Sequence, residues 1–323
     1  FRRSLVSSFH ELIYFIRDEV NSSLRKFSFP DQPRYLYDPI RYMISGKGKR
    51  YRPILVHLSG RAFRVDPNAL MDMSMAVEFM HNFTLAHDDI MDQDDQRHGK
   101  ETVHKKWDVS SAILAGDGLF TISQLLINNL ESSSNKIYYI FNKSALDICE
   151  GQAMDIQYEN DRSVSPKQYI NMIKKKTGAL LGACASMPAL MAGKKEKTIE
   201  KVYKFGESLG CGYQIQDDLL EIYSDPREMG KSLGSDIVSG KQTLMVILAR
   251  ENEKNEWEKI INNKTKPSLK TLRAFFSKFG IDQEAKHVAE SYFNEARLCL
   301  KEIPNSDFSE LFKFINLLEK RKY

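Results

Sequence analysis

With 323 residues, 42% of them hydrophobic, the chain can close a sizeable core, and its 47 basic and 43 acidic groups leave a formal charge of only +4. That balance excludes a bulk electrostatic case for nucleic acid, so any anion site has to come from local clusters. Cys149, Cys184, Cys211 and Cys299 form no CxxC pair, which argues against a zinc site or a disulfide framework and for a reducing, cytoplasmic setting.

The opening FRRSLVSSFHELIYFI starts basic and turns apolar, but Glu11, Arg17, Asp18 and Glu19 interrupt it and no small-residue cleavage site follows. It reads as an amphipathic first helix. Helical periodicity recurs near 4–26, 36–45, 52–62, 68–92, 108–130, 136–158, 166–192, 197–224, 240–251, 255–262, 268–279, 282–302 and 307–321. Breaks fall at Pro30 and Pro33, Gly46 and Gly48, Asp66-Pro67, Ser132–Asn135, Ser163–Pro166, Gly193, Asp225-Pro226 and Gly230. Strand-like alternation is scarce, and there is neither a fixed-length repeat nor a low-complexity linker. The pattern predicts an all-α fold, one domain over 1–323, built as a helical bundle. No run of about eighteen apolar residues occurs, so no membrane span is expected.

Chemistry first gathers at GKGKRYRP, residues 46–53, where Lys47, Lys49, Arg50 and Arg52 sit on a glycine-bearing turn that leads into a helix, a place suited to anions. A plain basic loop has the same composition. The apolar run that follows ends in DDIMD. Asp88 and Asp92, four apart, stack on one helical face about 5–6 Å between Cβ atoms, where repulsion asks for a cation between them. A hard divalent ion meets that need, and a solvated acidic helix end is the bland alternative. Arg97 and His98 then lie on a turn ended by Gly99, and Lys174, Lys175 and Lys176 precede Thr177-Gly178.

A second acidic cluster, Asp217, Asp218 and Glu221 in QDDLLE, repeats the spacing of the first, and Lys231 and Lys241 bracket GKSLGSDIVSGK just after it. Two such clusters in one cavity need several positive charges to be stable. Metal ions with Lys and Arg around phosphates are the pattern of a diphosphate-handling site.

In order and spacing, GKGKRYRP, Glu78 with His81, DDIMDQDDQRHG with TVH, KKTG, and YQIQDDLLE with GKSLGSDIVSGKQT resemble the motifs of the trans-prenyl diphosphate synthases, especially the short-chain geranylgeranyl type. The resemblance covers residues 40 to 245. It implies an isoprenoid synthase-like bundle around a central cavity and a homodimer. It also implies condensation of isopentenyl diphosphate with dimethylallyl, geranyl or farnesyl diphosphate by ionisation, condensation and elimination, with geranylgeranyl diphosphate as product.

On this sequence the resemblance places Asp88, Asp92 and Asp217 on Mg²⁺, three ions with bound diphosphate or Mn²⁺ in their stead, with Asp89, Asp218 and Glu221 supporting. Arg97, Lys176, Lys231 and Lys241 would hold the allylic diphosphate, and Lys49, Arg52 and His81 that of isopentenyl diphosphate. Thr177, Gln214 and Lys176 would face the carbocation. His98 stands where the family has a second arginine reaching isopentenyl diphosphate, which predicts a weaker or pH-dependent contact there. Glu221 stands where Asp is more usual.

One turn before Asp88, Phe83 and Thr84 would face the growing tail, and a bulky aromatic followed by a small residue resembles enzymes that stop near twenty carbons. Ordinary core packing is the other reading of Phe83. Farnesyl or longer-chain synthesis stays an alternative, as do a terpene cyclase, which usually carries an NSE-like second motif, and a non-catalytic synthase subunit, expected to have lost acidic residues.

Overall fold

The structure, a computed structural model, describes residues 8–46, 48–97, 99–130, 135–224, 237, 240–262 and 267–321. Helices account for nearly all the regular structure, as the periodicity predicts. They are α1 (Phe9–Lys26), α2 (Arg34–Ile44), α3 (Tyr51–Phe63), α4 (Pro67–Met91), α5 (Val103–Lys106), α6 (Val109–Asn128), α7 (Asn135–Tyr158), α8 (Pro166–Ile173), α9 (Ala179–Met191) and α10 (Glu196–Tyr223). After α10 come α11 (Leu244–Asn252), α12 (Lys254–Ile261), α13 (Leu269–Lys278), α14 (Ile281–Lys301) and α15 (Ser309–Glu319).

Local chemistry explains where these helices begin. Ser8 and Glu11 form a capping box at α1, Asp66 accepts from the Asn68 N–H just ahead of Pro67, and Ser165 with Gln168 repeats the box at α8. The stretch read as a helix from 240 instead starts at Leu244. Gly240 has φ 90°, outside the helical region, and the Thr243 side chain accepts from the Val246 N–H as the N-cap.

Besides that later start and the one-turn helix α5, which no predicted segment covers, two features differ from the sequence expectation. A short antiparallel hairpin, β1 (Gln96–Arg97) with β2 (Lys100–Glu101), follows the first acidic cluster. A π-helical turn, Lys174–Gly178, interrupts the single helix expected over 166–192. Each is too short to leave a periodic signature.

The chain divides into two compact units. The first takes Phe1–Asn142, Ala183–Glu200 and Asn305–Lys313, and the second Lys143–Gly182, Lys201–Pro304 and Phe314–Tyr323. In the first unit α4 is the axis, with α3 and α6 against it and Met73, Ala76, Val77, Phe79 and Met80 sealed from solvent. Such an all-round apolar helix is stable only inside a bundle. Helix α6 is the one described helix long and apolar enough to cross a membrane; it packs on α4 and α2 and carries Asp117.

Candidate active site

In the first unit, α3 opens on a buried strut. Arg50 takes a left-handed conformation, φ 54°, as the N-cap of α3. That backbone turns its guanidinium inward to an ion pair with Glu78 of α4, while Nε donates to Asn21 Oδ1 at 2.9 Å and Nη2 to the Gly46 carbonyl at 2.5 Å. Arg50 is 7% and Glu78 3% exposed, so losing either would strand a buried charge at a cost of about 3–5 kcal/mol. The pair fixes the basic turn against α4.

Arg52, two residues on, reaches His81 of α4, with Nη1 3.2 Å from Nε2. A guanidinium only donates, so His81 Nε2 accepts and its ring proton sits on Nδ1. Lys49 is exposed on the same turn. The structure therefore brings Arg52 and His81 together, with Lys49 exposed on the turn that leads into the same helix.

Where α4 ends, Asp88 and Asp92 are half-buried, with the Asp92 N–H on the Asp88 carbonyl at 2.8 Å, whereas Asp89 is buried. The hairpin folds back so that Arg97 Nε donates to Asp89 Oδ1 at 2.5 Å and Nη2 to Asp94 Oδ2 at 3.4 Å. Arg97 thus holds the middle carboxylate here. Below, the Phe83 ring meets those of His87 and Phe120 at centroid distances of 4.9 and 5.2 Å, and the Thr84 hydroxyl donates to the His81 carbonyl at 2.8 Å. Gly116 of α6 makes the ring stack fit: a Cβ there would come within 2.4 Å of His87 Nε2.

The second unit holds the other half of the predicted set. On the π turn, Lys176 Nζ donates to Asp155 Oδ2 at 2.6 Å and Thr177 Oγ1 to Gln214 Oε1 at 2.9 Å. Gln214 Nε2 passes on to Asp218 Oδ1 at 3.0 Å, and Tyr169 Oη donates to Asp218 Oδ2 at 2.7 Å. Asp217 pairs with Arg321, beyond α15. Asp217 and Glu221 are half-buried one turn apart, and Asp218 is buried. A cavity of about 80 Å³ is lined by Asp155, Tyr169, Lys176, Gln214, Asp218 and Lys241.

Gly151 of α7 lets the π turn approach, since a Cβ there would stand 2.3 Å from the Lys176 backbone nitrogen. Burial, and then the Asp218 charge, push the Tyr169 phenol well above its ordinary range, so it remains a proton donor. Burial likewise pushes the Cys184 and Cys211 thiols up to about 12, leaving them neutral and unreactive.

His98 and Lys231, both predicted site residues, lie outside the described residues. Asp155, Tyr169 and Arg321 were not among the residues picked from sequence, and Arg50 was read there as one of the anion-facing basic residues, not as the buried partner of Glu78. Only Arg50 gave a signal, inside the basic turn.

Among the described residues no three His, Cys, Asp or Glu side chains converge as a ready-made metal centre. The donor set nonetheless suits a hard cation. In each cluster two carboxylates one turn apart are half-buried, and an ion such as Mg²⁺ commonly takes one or two carboxylates and completes its shell from phosphate and water.

Residues 33–277 match the family model described as polyprenyl synthetase. A geranylgeranyl diphosphate synthase of Sulfolobus acidocaldarius is 36% identical over 89% of this chain and 89% of its own. The solved geranylgeranyl pyrophosphate synthetase from Pyrococcus horikoshii superposes with a TM-score of 0.88 at 32% identity, covering 97% of this chain and 99% of that one. A polyprenyl synthase from Caulobacter crescentus, solved with calcium and isoprenyl diphosphate, does so at 0.86 and 26% identity, covering 98% and 97%.

Proposed function

The chain belongs to the polyprenyl synthetase family and is a prenyltransferase; from that premise we propose that it joins isopentenyl diphosphate to an allylic diphosphate and releases geranylgeranyl diphosphate, with 1–323 working as one catalytic body. The observation that carries the assignment is the pairing of two carboxylate clusters of like spacing with two separate sets of basic residues. Lys49, Arg52 and His81 form the set for isopentenyl diphosphate, and Lys176 and Lys241, with Arg97 and Lys231, the set for the allylic diphosphate.

Divalent ions, three Mg²⁺ with Mn²⁺ as a substitute, would be held by Asp88 and Asp92 on α4 and by Asp217 on α10, with Asp89, Asp218 and Glu221 supporting. A divalent ion fits the family, and the Caulobacter neighbour was solved in complex with calcium and isoprenyl diphosphate. When bound, the ions neutralise the leaving diphosphate.

This chain's own groups do the rest. Lys176 adds positive charge where the allylic C–O bond weakens. The Thr177 and Gln214 oxygens lie beside Lys176 and would face the carbocation. Arg52 and His81 orient the isopentenyl diphosphate so that its double bond attacks that cation. The departing diphosphate takes the proton, and no side-chain nucleophile is needed. Phe83, backed by Phe120, closes the tail pocket.

Val109, Ile113, Leu114 and Leu125 leave an exposed apolar surface on α6, which supports a homodimer. We place the enzyme in the cytoplasm. Incubation with Mg²⁺, labelled isopentenyl diphosphate and each of dimethylallyl, geranyl and farnesyl diphosphate tests the assignment. The expected result is elongation to one product of twenty carbons. Cyclised hydrocarbon would favour a terpene cyclase, and no turnover would favour a partner subunit.

A further inference from the structure

The second acidic cluster is held from behind by a tyrosine that the reaction does not itself require. Tyr169 is 1% exposed, and the capping box at Ser165 and Gln168 fixes the first turn of α8, on which it sits. Its hydroxyl donates to Asp218 Oδ2 at 2.7 Å while Gln214 Nε2 donates to Oδ1 at 3.0 Å. Both oxygens of that carboxylate thus accept from uncharged donors, and Asp218 is 9% exposed. The same Gln214 accepts from the Thr177 hydroxyl at 2.9 Å. One chain of hydrogen bonds therefore runs from the phenol through the middle carboxylate to the π turn.

We propose that Tyr169 is a positioning residue of the metal and diphosphate site: by occupying Asp218 Oδ2 it locks that carboxylate in its supporting place and, through Gln214, sets the Thr177 hydroxyl. Removing the hydroxyl leaves one oxygen of a buried carboxylate without this donor, so Asp218 can rotate, and the charge behind Asp217 and Glu221 moves with it. Partners that orient metal-site carboxylates in this way shift metal affinity by about 10–100-fold.

The inference rests on the second cluster belonging to the metal site, and the test separates the two. Mn²⁺ binding is measured by electron paramagnetic resonance in the presence of inorganic pyrophosphate, alongside the Mg²⁺ dependence of turnover. Tyr169→Phe is expected to weaken Mn²⁺ binding about tenfold, raise the half-saturating Mg²⁺ by a similar factor and lower kcat, with the KM for isopentenyl diphosphate unchanged. In an Asp218→Asn background the same substitution should add nothing further. Should Tyr169→Phe fail to fold, Gln214→Met removes the other donor and should weaken Mn²⁺ binding in the same way. Unchanged Mn²⁺ affinity, or an equal loss in the Asp218→Asn background, overturns the role of Tyr169. Failure of Asp217→Asn to weaken Mn²⁺ binding removes the metal-site premise instead.

Discussion

The Arg321 guanidinium pairs with the Asp217 carboxylate and lies 4.3 Å above the centre of the Tyr213 ring. Gln216 holds that segment in place, its Nε2 donating to the Glu319 carbonyl at 2.8 Å and the Arg321 carbonyl at 3.3 Å. A fixed cation thus sits on a carboxylate proposed to bind a metal ion, and the two cations compete for it. Arg321→Gln is expected to lower Tm in metal-free buffer, since the ion pair with Asp217 is lost. It should also enlarge the Tm gain on adding Mg²⁺ with pyrophosphate. Differential scanning calorimetry with and without the pair reads both, and a gain equal to that of the unaltered chain would refute the competition.

The two basic sets should separate kinetically. Arg52→Met removes a charge from the isopentenyl diphosphate set alone, and a charge-assisted contact contributes about 1.5–3 kcal/mol, or roughly 10–150-fold. The KM for isopentenyl diphosphate should rise by that factor while the allylic KM stays within about twofold. Steady-state kinetics with each substrate varied checks the split, and an equal rise in both constants would count against it.

Product length should depend on two rings. Phe83→Ala opens the pocket only as far as Phe120, so the single variant is expected to add one or a few five-carbon units. Phe83→Ala with Phe120→Ala should go further. Mass analysis of dephosphorylated products decides, and an unchanged distribution in both variants would return Phe83 to ordinary core packing.

Stability should carry a titration away from the site. Burial, helped by the positive charge of Arg61, lowers the His57 pKa from 6.5 to about 4, and its Nε2 is buried with no hydrogen-bond partner among the described residues. The folded pKa lies below the unfolded one, so the unfolded chain binds the extra proton between them. The stabilisation is complete above about pH 6.5 and is lost as pH falls toward 4, by about 3 kcal/mol at most. Urea titrations from pH 7 to pH 4.5 should show a shallower loss for His57→Gln than for the unaltered chain.

Sequence reading reached the acidic clusters and the basic turn because each is local: two carboxylates four apart on a helix declare a shared face before any fold is known. The helices were legible for the same reason, since their period repeats over many residues. Partners distant in sequence were not. Asp155 meets Lys176 across 21 positions and Tyr169 meets Asp218 across 49, and neither Asp155 nor Tyr169 stands out from its neighbours. The π turn defeats periodicity outright, because one extra residue in a single turn displaces Lys176 and Thr177 from the face that an α-helical count assigns them. Arg97 was read as a phosphate ligand, and in the described structure it donates to Asp89. That contact spends its charge on the neighbouring carboxylate.

The left-handed turn at Arg50 makes α4 a ruler. The Arg50–Glu78 pair and the Arg52–His81 contact fasten the basic turn to this helix, and Asp88 lies further along the same rod. From His81 to Asp88 is seven residues, about 10 Å of rise and within about 20° of two full turns, so both face the same way. The interval between the two proposed substrate heads is thereby set by covalent geometry within one helix. A single residue inserted between His81 and Asp88 would swing one head by about 100° relative to the other while leaving every side chain named here intact.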